Sequence, residues 1–161
     1  MNTTNKLYRP GPLGALMDEY CKVAEEYKAL LLSLSQEDFT RVIDPETQDP
    51  SCTTVQKIST HVVFCGYNYS NYIRKQFGDE VTIPKPVLSF SNAQEVVKGI
   101  DDMLNYQEEC LKNKWDITWQ QTLDNIMKVS WGQAFDIEQI LEHAIVHIMR
   151  HRRQIERLLG L

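Results

Sequence analysis

The chain has 161 residues, 42% of them hydrophobic, with 17 Lys and Arg against 22 Asp and Glu for a formal net charge of -5. That length predicts one domain, residues 1–161, with enough apolar content for a sizeable core. The acidic balance gives a polyanion no general reason to bind and excludes nucleic acid as an expected partner. No run approaches the roughly 18 apolar residues of a membrane span, and the opening MNTTNKLYRPGPLGAL has no long apolar run after a basic start. The expectation is a soluble cytoplasmic protein with no membrane partner.

The first helical pattern runs from about Leu13 to Leu34, with Leu16, Tyr20, Val23, Tyr27, Leu30, Leu31 and Leu34 recurring at three- and four-residue steps. Pro10, Gly11 and Pro12 set its start, and the segment DPETQDPS, residues 44–51, breaks the chain before the second helix. Thr53 and Gln56 read as a capping box opening that second helix, which stops at Gly78. After a polar, proline-containing connection, Ser91 and Gln94 read as the start of a third helix over about 92–113. Residues 114–135 are irregular and hold all three tryptophans, and either a short helix or a short extended pair is compatible with them. Asp136 and Gln139 open the last helix. Four helices of about 20 residues joined by polar loops predict an all-α, up-and-down four-helix bundle with an irregular segment before the last helix.

The cysteines at 21, 52, 65 and 110 form no CxxC pair and no dense framework. They read as reduced, mostly buried thiols.

Three of the four histidines, His143, His147 and His151, succeed one another at four-residue steps in the last helix. Such steps drift by about 40° and rise about 6 Å, so two neighbouring imidazoles can converge on one metal ion, whereas three span about 12 Å of axis. With Ile137 as zero, the apolar arc is centred near about 10°, and His151, His147 and His143 fall at about 320°, 280° and 240°. His151 and His147 therefore suit an ion inside the bundle, and His143 falls at the rim, where substrate contact or hydrogen bonding is its expected role. The only other histidine, His61, lies on the second helix in line with Ile58, Cys65 and Tyr72. A three-histidine site with an open coordination position would result, suited to binding water or a substrate thiolate at a Lewis acid. Zincin chemistry is excluded because Ala144, not Glu, comes after His143, and Ile148 after His147. Di-iron carboxylate chemistry is excluded because the paired Glu-x-x-His motifs are missing.

The segment HIMRHRRQI resembles the H-x-x-x-H-R-G-Q-[IL] ending of the DinB/YfiT-like superfamily, and TTVQKISTHVV resembles its second-helix segment with a single metal histidine. The likeness in helix order and spacing covers nearly the whole chain. Arg152 and Gln154 match the motif, Arg153 stands in place of its Gly, and Thr53 and Lys57 stand where Trp and Glu are common. The resemblance implies a DinB-like four-helix bundle in which nickel or zinc is held by His61, His147 and His151, with His143 as an additional histidine one turn earlier. It further implies a metal-dependent enzyme, a transferase using a low-molecular-weight thiol or a hydrolase, acting on a small electrophilic molecule. No general base announces itself; His143, Tyr67, Tyr69 and Tyr72 are candidates to line the pocket, His143 and Tyr72 foremost, with core packing the alternative role for the tyrosines. The alternative is a non-catalytic scaffold or stress-related binding protein with a structural or vestigial metal.

Three further expectations concern the surface. Arg152 is placed to bury its stem and pair with a carboxylate. Arg150, Arg152, Arg153 and Arg157 are too few and too dispersed around the helix to make a DNA-binding face. The resemblance and the tryptophan-rich segment from Trp115 to Trp131 point to a homodimer.

Overall fold

The computed structural model describes residues 8–161. Residues 1–7, which open both the expected 1–161 domain and the MNTTNKLYRPGPLGAL segment, lie outside the described residues. The described chain is predominantly helical, with α1 Gly11–Ser33, α2 Gln36–Thr40, α3 Val55–Phe77, α4 Ala93–Leu111, α5 Trp119–Asp124 and α6 Ile137–Leu159. A 3-10 turn, Pro50–Cys52, precedes α3, and two short antiparallel strands, β1 Met127–Lys128 and β2 Ala134–Phe135, precede α6. No described helix is long and apolar enough to cross a membrane.

Local chemistry explains where the helices begin. Pro10 is the N-cap of α1, extended at φ -74°, and the helix starts at Gly11, two residues earlier than the apolar pattern alone predicts. The start of α3 differs by one residue from the expected Thr53–Gln56 box: Thr54 is the cap, its hydroxyl accepting from the Lys57 amide. Gln56 instead donates from Nε2 to the Phe90 carbonyl at 2.6 Å, so its side chain holds the connection before α4 rather than the helix start. Likewise α4 begins not at a Ser91–Gln94 box but at Asn92, which accepts from the Glu95 amide while Glu95 Oε2 accepts from the Ser91 amide. That helix ends at Leu111, two residues before the expected end. The Asp136–Gln139 box at α6 forms as expected, with both reciprocal bonds. Gly78 and Gly160 close α3 and α6 in the left-handed conformation that glycine adopts without strain.

The four long helices each pack against two others, α1 against α4 and α6, and α3 against α4 and α6. Leu13, Met17, Tyr20, Tyr27 and Leu31 of α1, Ile58 and Val63 of α3, Ile100, Met103 and Leu111 of α4, and Ile140, Ile148 and Ile155 of α6 are buried in one continuous core. Polar ties cross it where the backbone register permits: Tyr27 bonds Ser59 at 2.8 Å, and Ser70 donates to Gln107 at 2.8 Å. Ion pairs tie α1 to its neighbours, from buried Lys28 to Asp101 of α4 at 2.6 Å and from Glu26 to Arg152 of α6. Arg152 thus takes the paired, half-buried position expected of it. Gly66 lets α3 approach α4 closely, since a Cβ there would stand 1.9 Å from the sulfur of buried Met103.

The irregular segment contains both of the structures its sequence allows, α5 and then the strand pair. A capping box of Thr118 and Gln121 starts α5. The strand β1 packs against α3 and β2 against α6, so this segment lies across the α3–α6 seam. Tyr72 fastens it: its hydroxyl donates to Ser130 Oγ at 2.9 Å and accepts from the Ser130 amide at 3.0 Å. All four cysteines are free thiols, Cys52 and Cys110 buried and Cys21 and Cys65 half-buried.

Candidate metal centre

The α3–α6 seam brings three imidazoles together. His61 Nε2 lies 3.1 Å from His147 Nε2, which in turn lies 3.2 Å from His151 Nε2. One donor nitrogen from each ring falls within 4.8 Å of the other two. Burial tracks the angular order along α6: His151 is 2% exposed, His147 is 7% exposed, and His143 is only half-buried. The helical drift of about 40° per step produces that gradient, turning each successive histidine further into the core.

Three converging Nε2 atoms form a poor hydrogen-bonded set. Each neutral imidazole has one N–H and one lone pair, so His147 Nε2 cannot satisfy two facing nitrogens unless the rings carry protons that burial resists. The spacing matches a shared cation instead, because two nitrogens bound to one tetrahedral zinc at 2.0–2.1 Å stand about 3.3 Å apart. Gln154 Oε1, one turn beyond His151, accepts from His151 Nδ1–H at 2.9 Å. That bond fixes the tautomer whose Nε2 lone pair faces the other two rings, the outer support that metal-bound histidines characteristically have. Cys65 Sγ sits 3.7 and 3.6 Å from the two nitrogens of His61, a contact across the ring rather than a bond directed at either nitrogen.

The electrostatics agree with neutral, coordinating histidines. Burial lowers the pKa of His147 to about 2, reinforced by the neighbouring His151 and His61. Burial also lowers that of His151 to about 4, although the Gln154 bond opposes it. His61 is lowered by burial, and Asp49 partly offsets this. Replacing Gln154 with Leu is expected to weaken metal affinity about 10- to 100-fold while the helical circular dichroism is unchanged. Competition with a chromophoric chelator would measure it, and undiminished affinity would deny Gln154 that role.

The other expected pocket residues separate. His143 is stacked on Trp131, with ring centroids 5.5 Å apart, and faces Phe135 and Tyr69. It lines a surface hollow of about 490 Å³ with Phe135 and Val146, outside the three-nitrogen cluster. Tyr72 contacts Trp131 and Ser130 rather than the three rings. Tyr67 packs against Tyr106 of α4, on a different side of α3, and supplies core volume. Tyr69 is the tyrosine at the centre, edge-on to His147 at 5.8 Å. Its signal in the sequence is its spacing: Cys65 and Tyr69 succeed His61 at steps of four, on one face of α3.

An open cleft of about 750 Å³ reaches the cluster, with His61 and His151 in its wall beside Asp49, Cys52 and Gln154. A second hollow of about 460 Å³, more apolar, lies on the other side of His61 against Phe64, Leu88 and Phe90. Comparison with models of protein families gives no match, and comparison with curated proteins gives none either.

Proposed function

We propose that the chain is an up-and-down four-helix bundle of the DinB-like kind that binds nickel or zinc through His61, His147 and His151. In this reading it is a metal-dependent enzyme, a thiol-dependent transferase or a hydrolase, acting in the cytoplasm on a small electrophilic molecule. The observation that carries the proposal is the convergence of three Nε2 atoms at 3.1 and 3.2 Å, with the tautomer of His151 fixed from outside by Gln154. A divalent ion bound there would supply Lewis acidity and lower the pKa of a water or thiol in its remaining coordination position. Three protein ligands leave such a position, and the cleft beside His61 and His151 gives it access.

The chain's own residues divide the remaining work. His61, His147 and His151 hold the ion, and Gln154 orients His151. Tyr69 walls the inner side of the cluster, and Trp131 covers His143 at its outer end. Low-molecular-weight thiols would suit such a site, because an ion held by His61, His147 and His151 would favour the thiolate form of a thiol. Elemental analysis of protein purified without a histidine tag, alone and after reconstitution with zinc and nickel, tests the reading. About one equivalent of a divalent transition metal is expected, and a chain that stays metal-free after reconstitution overturns it.

A second copy of the chain is the proposed partner. Trp119, Leu123, Ile126 and Trp131 leave an apolar surface on the irregular segment, with Trp119 at 68% exposure. Sedimentation at high micromolar concentration is expected to show a dimer. Particles of only 18.7 kDa would remove this proposal.

A further inference from the structure

In a chain of net charge -5, the stretch RHRRQIER, residues 150–157, holds four arginines. At about 100° per residue, Arg150, Arg153 and Arg157 fall within about 60° of one another, and Arg152 points to the other side of α6. The contacts obey that division. Arg152 pairs with Glu26 of α1 and lies 3.5 Å from Glu156. Arg150, Arg153 and Arg157 make no ion pair or hydrogen bond among the described residues, and all three line the cleft that contains His61 and His151.

The cleft's two acidic side chains are engaged elsewhere. Asp49 accepts from the Ser51 amide at 2.9 Å and from the Ser51 hydroxyl at 2.6 Å, and Glu156 faces Arg152. No side-chain carboxylate therefore pairs with the three guanidiniums on this wall of the concavity, which Leu161 also lines. A guanidinium offers its donors as a planar fork that matches the two oxygens of a carboxylate or phosphate. The scale is that of a metabolite: the cleft is about 750 Å³, within the usual range for small-molecule sites. Along α6 the arginines stand from about 1.5 Å to about 9 Å in helical rise from His151, so they hold one end of a molecule whose other end reaches the histidines. A long polyanion has no such fit, because the arginines form one patch on an otherwise acidic chain.

We propose that this cleft admits a small molecule carrying an oxyanion, carboxylate or phosphate, which Arg150, Arg153 and Arg157 hold while its opposite end reaches His61 and His151. The inference deepens the metal-site reading and rests on it for the position of the reacting end. It narrows the substrate class to anionic molecules or, for a thiol-dependent reaction, to a thiol bearing such a group.

Calorimetric titration of the full chain, metal-free and zinc-loaded, with succinate, inorganic phosphate and the uncharged analogue succinamide provides the test. The Arg153→Gln/Arg157→Gln variant is titrated alongside it, with zinc content measured on each preparation. Both substituted side chains are exposed, so the fold is expected to persist. Succinate or phosphate is expected to bind the wild type, to weaken about tenfold or more in the variant and with added salt, and to leave zinc uptake unchanged. Succinamide is expected not to bind. The tighter of the two anions identifies the oxyanion, and either supports the proposal. Zinc uptake without anion binding, or anion binding equal in wild type and variant, overturns the cleft and leaves the metal site standing. Arginine-dependent anion binding in a chain that takes up no zinc overturns the metal site and leaves the cleft.

Discussion

Replacing His147 with alanine is expected to abolish stoichiometric metal binding, with affinity falling by more than the roughly 10- to 100-fold expected for the loss of an outer partner such as Gln154. His147 is the middle of the three: its Nε2 is 3.1 Å from that of His61 and 3.2 Å from that of His151. Its loss leaves two nitrogens on different helices, with no third ligand grouped with them among the described residues. The consequence is also visible in stability, because a ligand that binds only the folded state stabilises it by mass action. At free metal about 100-fold above Kd the gain is about 2.7 kcal/mol, or about 5–10 °C in Tm for a chain of this size. Wild type is expected to show that rise on adding zinc or nickel, and His147→Ala is expected to show almost none. His143→Ala is the internal control. Its ring packs on Trp131 outside the cluster, so the metal-induced rise is expected to survive. If His143→Ala and His147→Ala lose metal equally, the ligand set proposed for the site is wrong.

Much of this site was legible in the sequence because helical geometry is regular. The four-residue spacing of the histidines, set against the apolar arc of α6, places His151 and His147 inward and His143 outward, and the exposures keep that order. The same regularity makes the Asp136–Gln139 cap readable, since its pattern allows the two reciprocal bonds that form. The Thr53–Gln56 and Ser91–Gln94 patterns mislead because capping is a competition. Thr54 and Asn92 take the caps one residue later, and Gln56 finds a tertiary acceptor in the Phe90 carbonyl. The role of Tyr69 is hidden by a helix rich in tyrosine. Tyr67, Tyr69 and Tyr72 face three different surroundings, and only the packing of α3 against α4, α6 and β1 decides which one meets His147. The arginine wall looks dispersed in the sequence because charge alone does not show which side chain is neutralised. Glu26, 126 residues from Arg152 in the sequence, makes that division.

Acid is expected to destabilise the metal-free protein from about pH 6.5 downward, before most carboxylates titrate. Burial holds His151 at about 4 and His147 at about 2, and lowers His61 as well, whereas histidines in the unfolded chain titrate near 6.5. Above that value both states are neutral at these positions and the histidines contribute no pH dependence. Below it the unfolded chain binds protons that the folded chain refuses, so the stability present above about pH 6.5 is lost as pH falls toward the folded values. Each such histidine contributes a slope of at most about 1.4 kcal/mol per pH unit, so two give at most about 2.7. Against a usual folding stability of about 5–15 kcal/mol, that slope is large enough to unfold the metal-free chain in the mildly acid range. Urea denaturation at pH 7.5, 6.5, 5.5 and 4.5 measures it, and the His147→Ala/His151→Ala variant should lose most of the slope. A metal bound there would add to the effect, since protons and the ion would compete for the same three lone pairs and acid would also remove the metal's stabilisation. A metal-free wild type equally stable from pH 7.5 to 5 would mean that these rings accept protons in the folded state. Their burial as a neutral set would then be refuted.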